Sequence, residues 1–151
     1  MKLLVFHIGA DRYGLPLATI RQVLPLMALT GVPLAPDAVA GLMNLHGASV
    51  PVIDLARSSG APAAARQVDT RILLVDYPGP DGAVHALGLL AERVIGVQDV
   101  SEASLHASGV RAAPFLGPMA RDAQGFVQLV QPEHLLPADL RAALFPPDGA
   151  T

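Results

Sequence analysis

The chain has 151 residues, enough for one ordinary domain or two small subdomains sharing a core. Hydrophobic residues make up 52% and charged residues only 15%, which excludes a disordered chain, and a net charge of −3 with scattered signs argues against a nucleic-acid partner. Cysteine is absent, so disulfide and thiolate-metal chemistry are excluded, and no apolar run approaches the roughly 20 residues of a membrane span.

The N-terminus, Met1–Gly9, has one basic residue and a short apolar run without a small-residue cleavage site. It reads as a first strand, not a signal peptide, and the expectation is a soluble cytoplasmic protein. Aromatics are scarce at 4%, so Val, Leu, Ile and Ala must fill the core. The apolar surplus has two readings: surface that meets partners, or a compositional bias toward Leu and Ala.

In chain order, Leu3–Ile8 is a mostly apolar strand, Gly9–Arg12 a turn and Tyr13–Leu17 a returning strand that Pro16 demotes to an edge or an end. Ile20, Val23 and Leu24 fit either one face of a helical turn or a third strand, and Pro25 argues against a continuing helix. Thr30–Pro36 is rich in turn residues, and Pro36–Gly41 reads as one helical turn closed by Gly41. Leu42–Leu45 and Val50–Ile53 flank Asn44, His46 and Gly47, a hairpin pattern in which Gly47 supplies the positive φ of a tight turn. Asp54 then caps a short helical turn, Leu55–Ser58. On local pattern alone this is equally a core hairpin with no function.

Arg57–Gln67 is small, aperiodic and the best candidate for a flexible linker, with a subdomain boundary near residue 65. The pattern then restarts: strand Arg71–Tyr77, turn Pro78–Gly82, strand Val84–Leu90 and a further strand Val94–Val97. The order of these elements repeats that of Leu3–Val23, and a second hairpin, Leu116–Arg121 with Phe126–Val130 turning at Asp122–Gly125, repeats the Gly41–Leu55 hairpin. The chain thus reads as a weak internal duplication, residues 1–65 and 66–137 each forming a small β unit, followed by a tail, 138–151. Ser101–Ser104 is a capped turn, Pro132–Leu136 a helical turn stopped by Pro137, and Ala138–Phe145 a short amphipathic helix with Leu136, Leu140 and Leu144 on one face. Short strands with frequent turns predict an all-β barrel or sandwich.

Reactive chemistry has little to stand on. The five histidines, His7, His46, His85, His106 and His134, show no metal-ligand spacing, and no cofactor is expected. Lys2 is the only lysine, no Gly-x-Ser-x-Gly elbow exists, and Asp54 is better read as a helix cap than as a phosphoacceptor. His46 could serve as a pH-sensitive contact or simply as a turn side chain.

The stretch Gly41–Leu55, Gly-Leu-Met-Asn-Leu-His-Gly-Ala-Ser-Val-Pro-Val-Ile-Asp-Leu, resembles the signature of the CheW-like chemotaxis adaptor family. Leu4–Gly9, Tyr13–Pro16, Ile20–Val23 and Val32–Pro36 follow the family's order and spacing, so the resemblance runs from about Leu3 to Leu136. It departs at His46, where the family usually has Arg. The resemblance implies two five-stranded SH3-like barrels side by side, and a non-catalytic adaptor joining a chemoreceptor's cytoplasmic tip to a CheA-type histidine kinase. It implies cytoplasmic work at membrane receptor arrays without insertion in the membrane. It carries the family's receptor- or kinase-binding positions onto Ile20, Gln22, Val23, Asn44, His46, Gly47, Glu92 and Val94. Gln22 and Glu92 stand where the family often has Glu and Asp. With His46, Gln22 removes two charges, and Leu24–Leu29 points the same way, toward a surface-sensing, Wsp-type adaptor. For Ile20, Val23 and Val94 the competing reading is a core position, and for Gly47 backbone geometry. A small-ligand-binding β-barrel or minor enzyme is the alternative, and it lacks a convergent polar cluster in the sequence.

Overall fold

The computed structural model describes residues 1–79, 81–106 and 114–146; Pro80 of the expected Pro78–Gly82 turn and tail residues 147–151 lie outside them. Nine strands form: β1 (Lys2–Ile8), β2 (Asp11–Pro16), β3 (Ile20–Pro25), β4 (Val39–Leu45), β5 (Ala48–Asp54), β6 (Arg71–Pro78), β7 (Val84–Asp99), β8 (Leu116–Asp122) and β9 (Gly125–Val130). Two short helices, α1 (Leu55–Ser58) and α2 (Ala138–Leu144), and three 3-10 turns complete the described chain.

These strands build the two five-stranded SH3-like barrels that the family resemblance implies, and decide for barrels where strand pattern alone allows a barrel or a sandwich. The central barrel has the order β3–β6–β7–β5–β4, and the terminal barrel the order β7–β1–β2–β9–β8. Each is closed by a matching isolated bridge. Thr30 exchanges two backbone hydrogen bonds with Leu42 (2.9 and 2.8 Å), and His106 exchanges two with Met119 (3.0 and 2.8 Å). Closure leaves few unpaired strand edges.

The expected division into consecutive blocks, 1–65 and 66–137, is not the division of the barrels. β1 and β2 pair with the second half of β7 and with β9, whereas β3 and β5 pair with β6 and the first half of β7. The duplication is visible in the pairing itself: β1–β2 and β6–β7 are antiparallel pairs, and each is extended in parallel by the last strand of the other repeat. The repeats have exchanged their hairpins. Strand patterning cannot reveal this, because exchanged and unexchanged pairings bury the same faces.

Three local readings also change. Val84–Leu90 and Val94–Val97 are one 16-residue strand, β7, which leaves the central barrel after Ala91 and joins the terminal one at Glu92. Gly41 closes no helix; it lies inside β4 with φ +148°, where a Cβ would come within 2.7 Å of the Thr30 carbonyl oxygen. The glycine makes room for the bridge that closes the central barrel. The supposed linker is tied down. Ala64 is buried and donates its N–H to Asp54 Oδ2 (2.9 Å), Ala61 donates to Ala56 (2.9 Å), and Thr70 Oγ1 donates to Ala65 (2.5 Å). Asp54 Oδ1 also accepts from Ala56 N–H (3.0 Å), so one carboxylate caps α1 as expected and anchors the segment after it.

The core follows from strand alternation. Leu3 and Val5 of β1 point into the terminal barrel with Ala120, Val127 and Leu129. Leu4, Phe6 and Ile8 point the other way, into a seam with Leu73, Val75, Leu87 and Leu89 of the central barrel. The C-terminal segment closes the seam: Leu135, Leu136 and Phe145 are buried there, with Phe145 stacked on Tyr77 (5.6 Å) and His85 (4.7 Å).

Candidate functional site

The hairpin signature makes the turn the sequence predicts. Leu45 pairs with Ala48, leaving a two-residue loop in which His46 (φ +52°) and Gly47 (φ +88°) are both left-handed. That is the turn whose twist matches flanking antiparallel strands. Asn44 Oδ1 accepts the Gly47 N–H (2.8 Å), fixing the turn from one side. Asn44, His46 and Gly47 are exposed at the tip, so here Gly47 has a backbone reason and His46 occupies a conformation that His tolerates better than most residues.

The other five expected positions sit elsewhere. Ile20 is half-buried on β3 opposite Val75 and packs at the edge of the seam. Gln22 is exposed, and Val23 is 43% exposed opposite Leu73. Glu92 begins the terminal-barrel half of β7 opposite His7, and Val94 is half-buried against the seam. Through β6, Val23 lies level with Leu89, three residues short of Glu92, so Ile20, Gln22, Val23, Glu92 and Val94 border one side of the seam. The hairpin tip is not part of that group. β5 runs parallel to β7 with Val52 opposite Gly88, which puts the tip level with the start of β7, roughly 25 Å along the strand from Glu92. The expected residues therefore fall on two separate parts of the surface.

The seam-side surface is apolar beside a shallow scatter of charge. Ile95 (54%) and Val97 (48%) are exposed on β7 just beyond Val94. Arg21 is paired with Asp76 (3.2 Å), both half-exposed. Among the described residues no group of three or more His, Asp or Glu is placed to hold a metal ion. Two clefts exist. One, of about 570 Å³, lies between the β4–β5 hairpin, the start of β7 and the end of α2, with Val50, Pro51, Val84 and Phe145 among its walls. The other, of about 220 Å³, lies between β2 and the β8–β9 hairpin. At its wall Arg12 forms a two-pronged ion pair with Asp122, both largely buried, which ties the β1–β2 turn to the β8–β9 turn. The Arg12 guanidinium, helped by the Gln124 N–H, holds the Asp122 carboxyl below its ordinary range, and Asp122 in turn raises Arg12. Burial, with Asp11 nearby, raises Tyr13 in the same cleft.

The sequence offered no route to Arg12–Asp122 or to His7 and Arg93, which meet across the β1–β7 join. Their partners are 110 and 86 residues away in the chain, and no spacing rule reaches that far.

Comparison with known proteins places the whole arrangement. A family model described as "CheW-like domain" matches residues 2–140. The chain is 25% identical over 146 residues to the chemotaxis protein CheW of Rhizobium meliloti, covering 94% of this chain and 91% of that one. It is 35% identical over 72 residues to CheW of Helicobacter pylori, a match covering 48% of this chain and 44% of that protein, so it spans less than half of that relative. Among solved structures, the scaffolding protein TtCheW from Thermoanaerobacter tengcongensis superposes with a TM-score of 0.81 at 25% identity, covering 90% of this chain and 87% of that one. That solved relative is named a scaffolding protein, and the match over residues 2–140 makes this chain a member of the CheW-like domain family.

Proposed function

We propose that this protein couples the cytoplasmic tip of a chemoreceptor to a CheA-type histidine kinase, in the cytoplasm at a membrane receptor array. The observation that carries the reading is the exposed apolar border of the seam: Val23, Ile95 and Val97 are all about half exposed on strands beside the join of the two barrels. An amphipathic helical hairpin can lay its apolar stripe along such a border and contact both barrels at once. Ile20, Gln22, Val23, Glu92 and Val94 form this contact, and Asn44, His46 and Gly47 belong to a second one at the hairpin tip. No helix among the described residues is long and apolar enough to cross a membrane.

Gln22 and His46 take the place of two charges that family members usually carry, so binding here rests on apolar area more than on charge steering. This is the motive for pairing the protein with a surface-sensing array of the Wsp type. Binding should then vary little with salt.

The test is capture of a soluble chemoreceptor cytoplasmic fragment, and of the kinase, by the full chain. Val23→Asp places a charge in the apolar border and should weaken receptor capture at least tenfold while leaving the melting temperature within about 2 °C, since Val23 is half exposed. His46→Glu should weaken capture at the second contact; His46→Asn, which accepts the same left-handed backbone, separates lost contact from strain. Undiminished capture by both Val23→Asp and His46→Glu would overturn the assignment.

A further inference from the structure

β7 changes barrels through a distortion of unusual size. In the β1–β7 ladder His7 faces Glu92 and Val5 faces Gly96, so three residues of β7, Arg93, Val94 and Ile95, stand against Phe6 alone. Arg93 is left-handed at φ +44° and Gly96 at φ +127°, so the bulge is bracketed by two positive-φ residues. A glycine suits such a position; an arginine there is strained and persists only where its surroundings hold it.

The surroundings hold it from three sides. The Arg93 guanidinium donates to the carbonyl of Gly9 in the β1–β2 turn. The Arg93 carbonyl lies 3.2 Å from His7 Nδ1, which must carry the proton because a carbonyl can only accept. Inside the bulge, Val94 N–H donates to the Asp69 carbonyl (3.0 Å), fastening it to the segment that leads into β6 of the other barrel. Of the three left-handed residues that are not glycine among the described residues, His46 and Arg93 fall within the two segments assigned above to partner contact, and Leu34 lies in an exposed loop.

We infer that Arg93 and His7 are positioning residues. They clamp the Glu92–Ile95 bulge in a strained shape that exposes Ile95 while Glu92 and Val94 stay part-buried beside it, and the partner helix reads that shape. This rests on the seam-side contact proposed above. It makes Arg93 a determinant of binding that touches the partner only through its neighbours.

Arg93→Gly is the decisive variant, because it relieves the left-handed strain while removing the guanidinium arm of the clamp. A residue important only for folding would lose stability on truncation. Here the full-length Arg93→Gly protein should keep or slightly raise its melting temperature, yet bind a soluble chemoreceptor cytoplasmic fragment about tenfold more weakly. Its Val94 amide should exchange hydrogen at least tenfold faster, a readout that needs no partner. His7→Ala should show a smaller loss of the same kind, and Arg93→Lys, which can still reach the Gly9 carbonyl, should recover part of the affinity. Unchanged Val94 exchange together with wild-type binding in Arg93→Gly would overturn the inference. If Arg93→Gly binds normally while Val23→Asp and Glu92→Lys do not, the clamp fails and the contact surface survives. If all three bind as wild type, the surface fails with it.

Discussion

The two barrels share a strand plan but not a core. The terminal barrel keeps only six fully buried apolar side chains for its own interior among the described residues: Leu3, Val5, Val100, Ala120, Val127 and Leu129. The central barrel and the seam form one continuous cluster that takes in Met43, Val52, Ile72, Leu87 and Leu89, and draws Leu4, Phe6, Ile8 and Leu15 from the outer faces of β1 and β2. The terminal barrel therefore relies on its neighbour to cover the outer faces of β1 and β2, and on the Arg12–Asp122 pair to join its two turns. In a double-barrelled scaffold, the interface between the units is as much part of folding as either interior.

The largest test of this contrast is Phe6→Ala. Phe6 is fully buried in the seam, and its loss should cost about 4 kcal/mol. The chain has one tyrosine in each barrel, Tyr13 on β2 and Tyr77 on β6, and no tryptophan, so tyrosine fluorescence during urea unfolding reports both. The summed signal should show one transition that shifts as a whole; a two-step transition would show that the barrels fold independently.

Next comes Arg12→Ala, expected to cost about 2 kcal/mol at pH 7, between the values for exposed and fully buried pairs. Its effect depends on pH with a definite sign. Asp122 has its folded pKa lowered, first by the hydrogen bond from Arg12, so its contribution is present above the unfolded carboxylate value near 4 and is lost as pH falls through the folded value. Wild type and Arg12→Ala should therefore converge in urea midpoint below about pH 4. A constant gap down to pH 2 would mean the pair contributes by packing alone.

The smallest effect is in the two hairpin turns. Gly47 (φ +88°) and Gly125 (φ +123°) have open space where a Cβ would go, so alanine at either should cost only the local strain, about 1 kcal/mol, in both barrels. A much larger loss at Gly125 would show that the terminal barrel is marginal at its turn as well as in its core.

What could be read from the chain follows the range of each interaction. Gly47 and Asp54 act on neighbours within a few residues, so the turn and the helix cap were legible, as were the strands of both repeats. Gly41 reads locally as a helix stop because its actual reason, the approach of Thr30, comes from a segment distant in the chain. The Ala-rich stretch after Ser59 looked like a linker because its anchor, Asp54, lies outside it. The exchange of hairpins left no mark in sequence, since β1 could pair equally well with a hairpin from either repeat. The site divided for the same reason. The signature predicted each residue's strand or turn, but the register of β5 on β7 decided that the tip and the bulge face different places.

The exchanged hairpins also set an order of assembly at the ribosome. The central barrel has all its strands once Ala91 has left the exit tunnel, but β1 and β2, the first made, wait for β9 and Val130. At ordinary elongation rates the roughly 40 intervening residues take about 2 to 8 seconds. Throughout that delay the nascent chain carries Leu3 and Val5 without Ala120, Val127 and Leu129, which will cover them, so this strand pair is the last part of the fold to be closed.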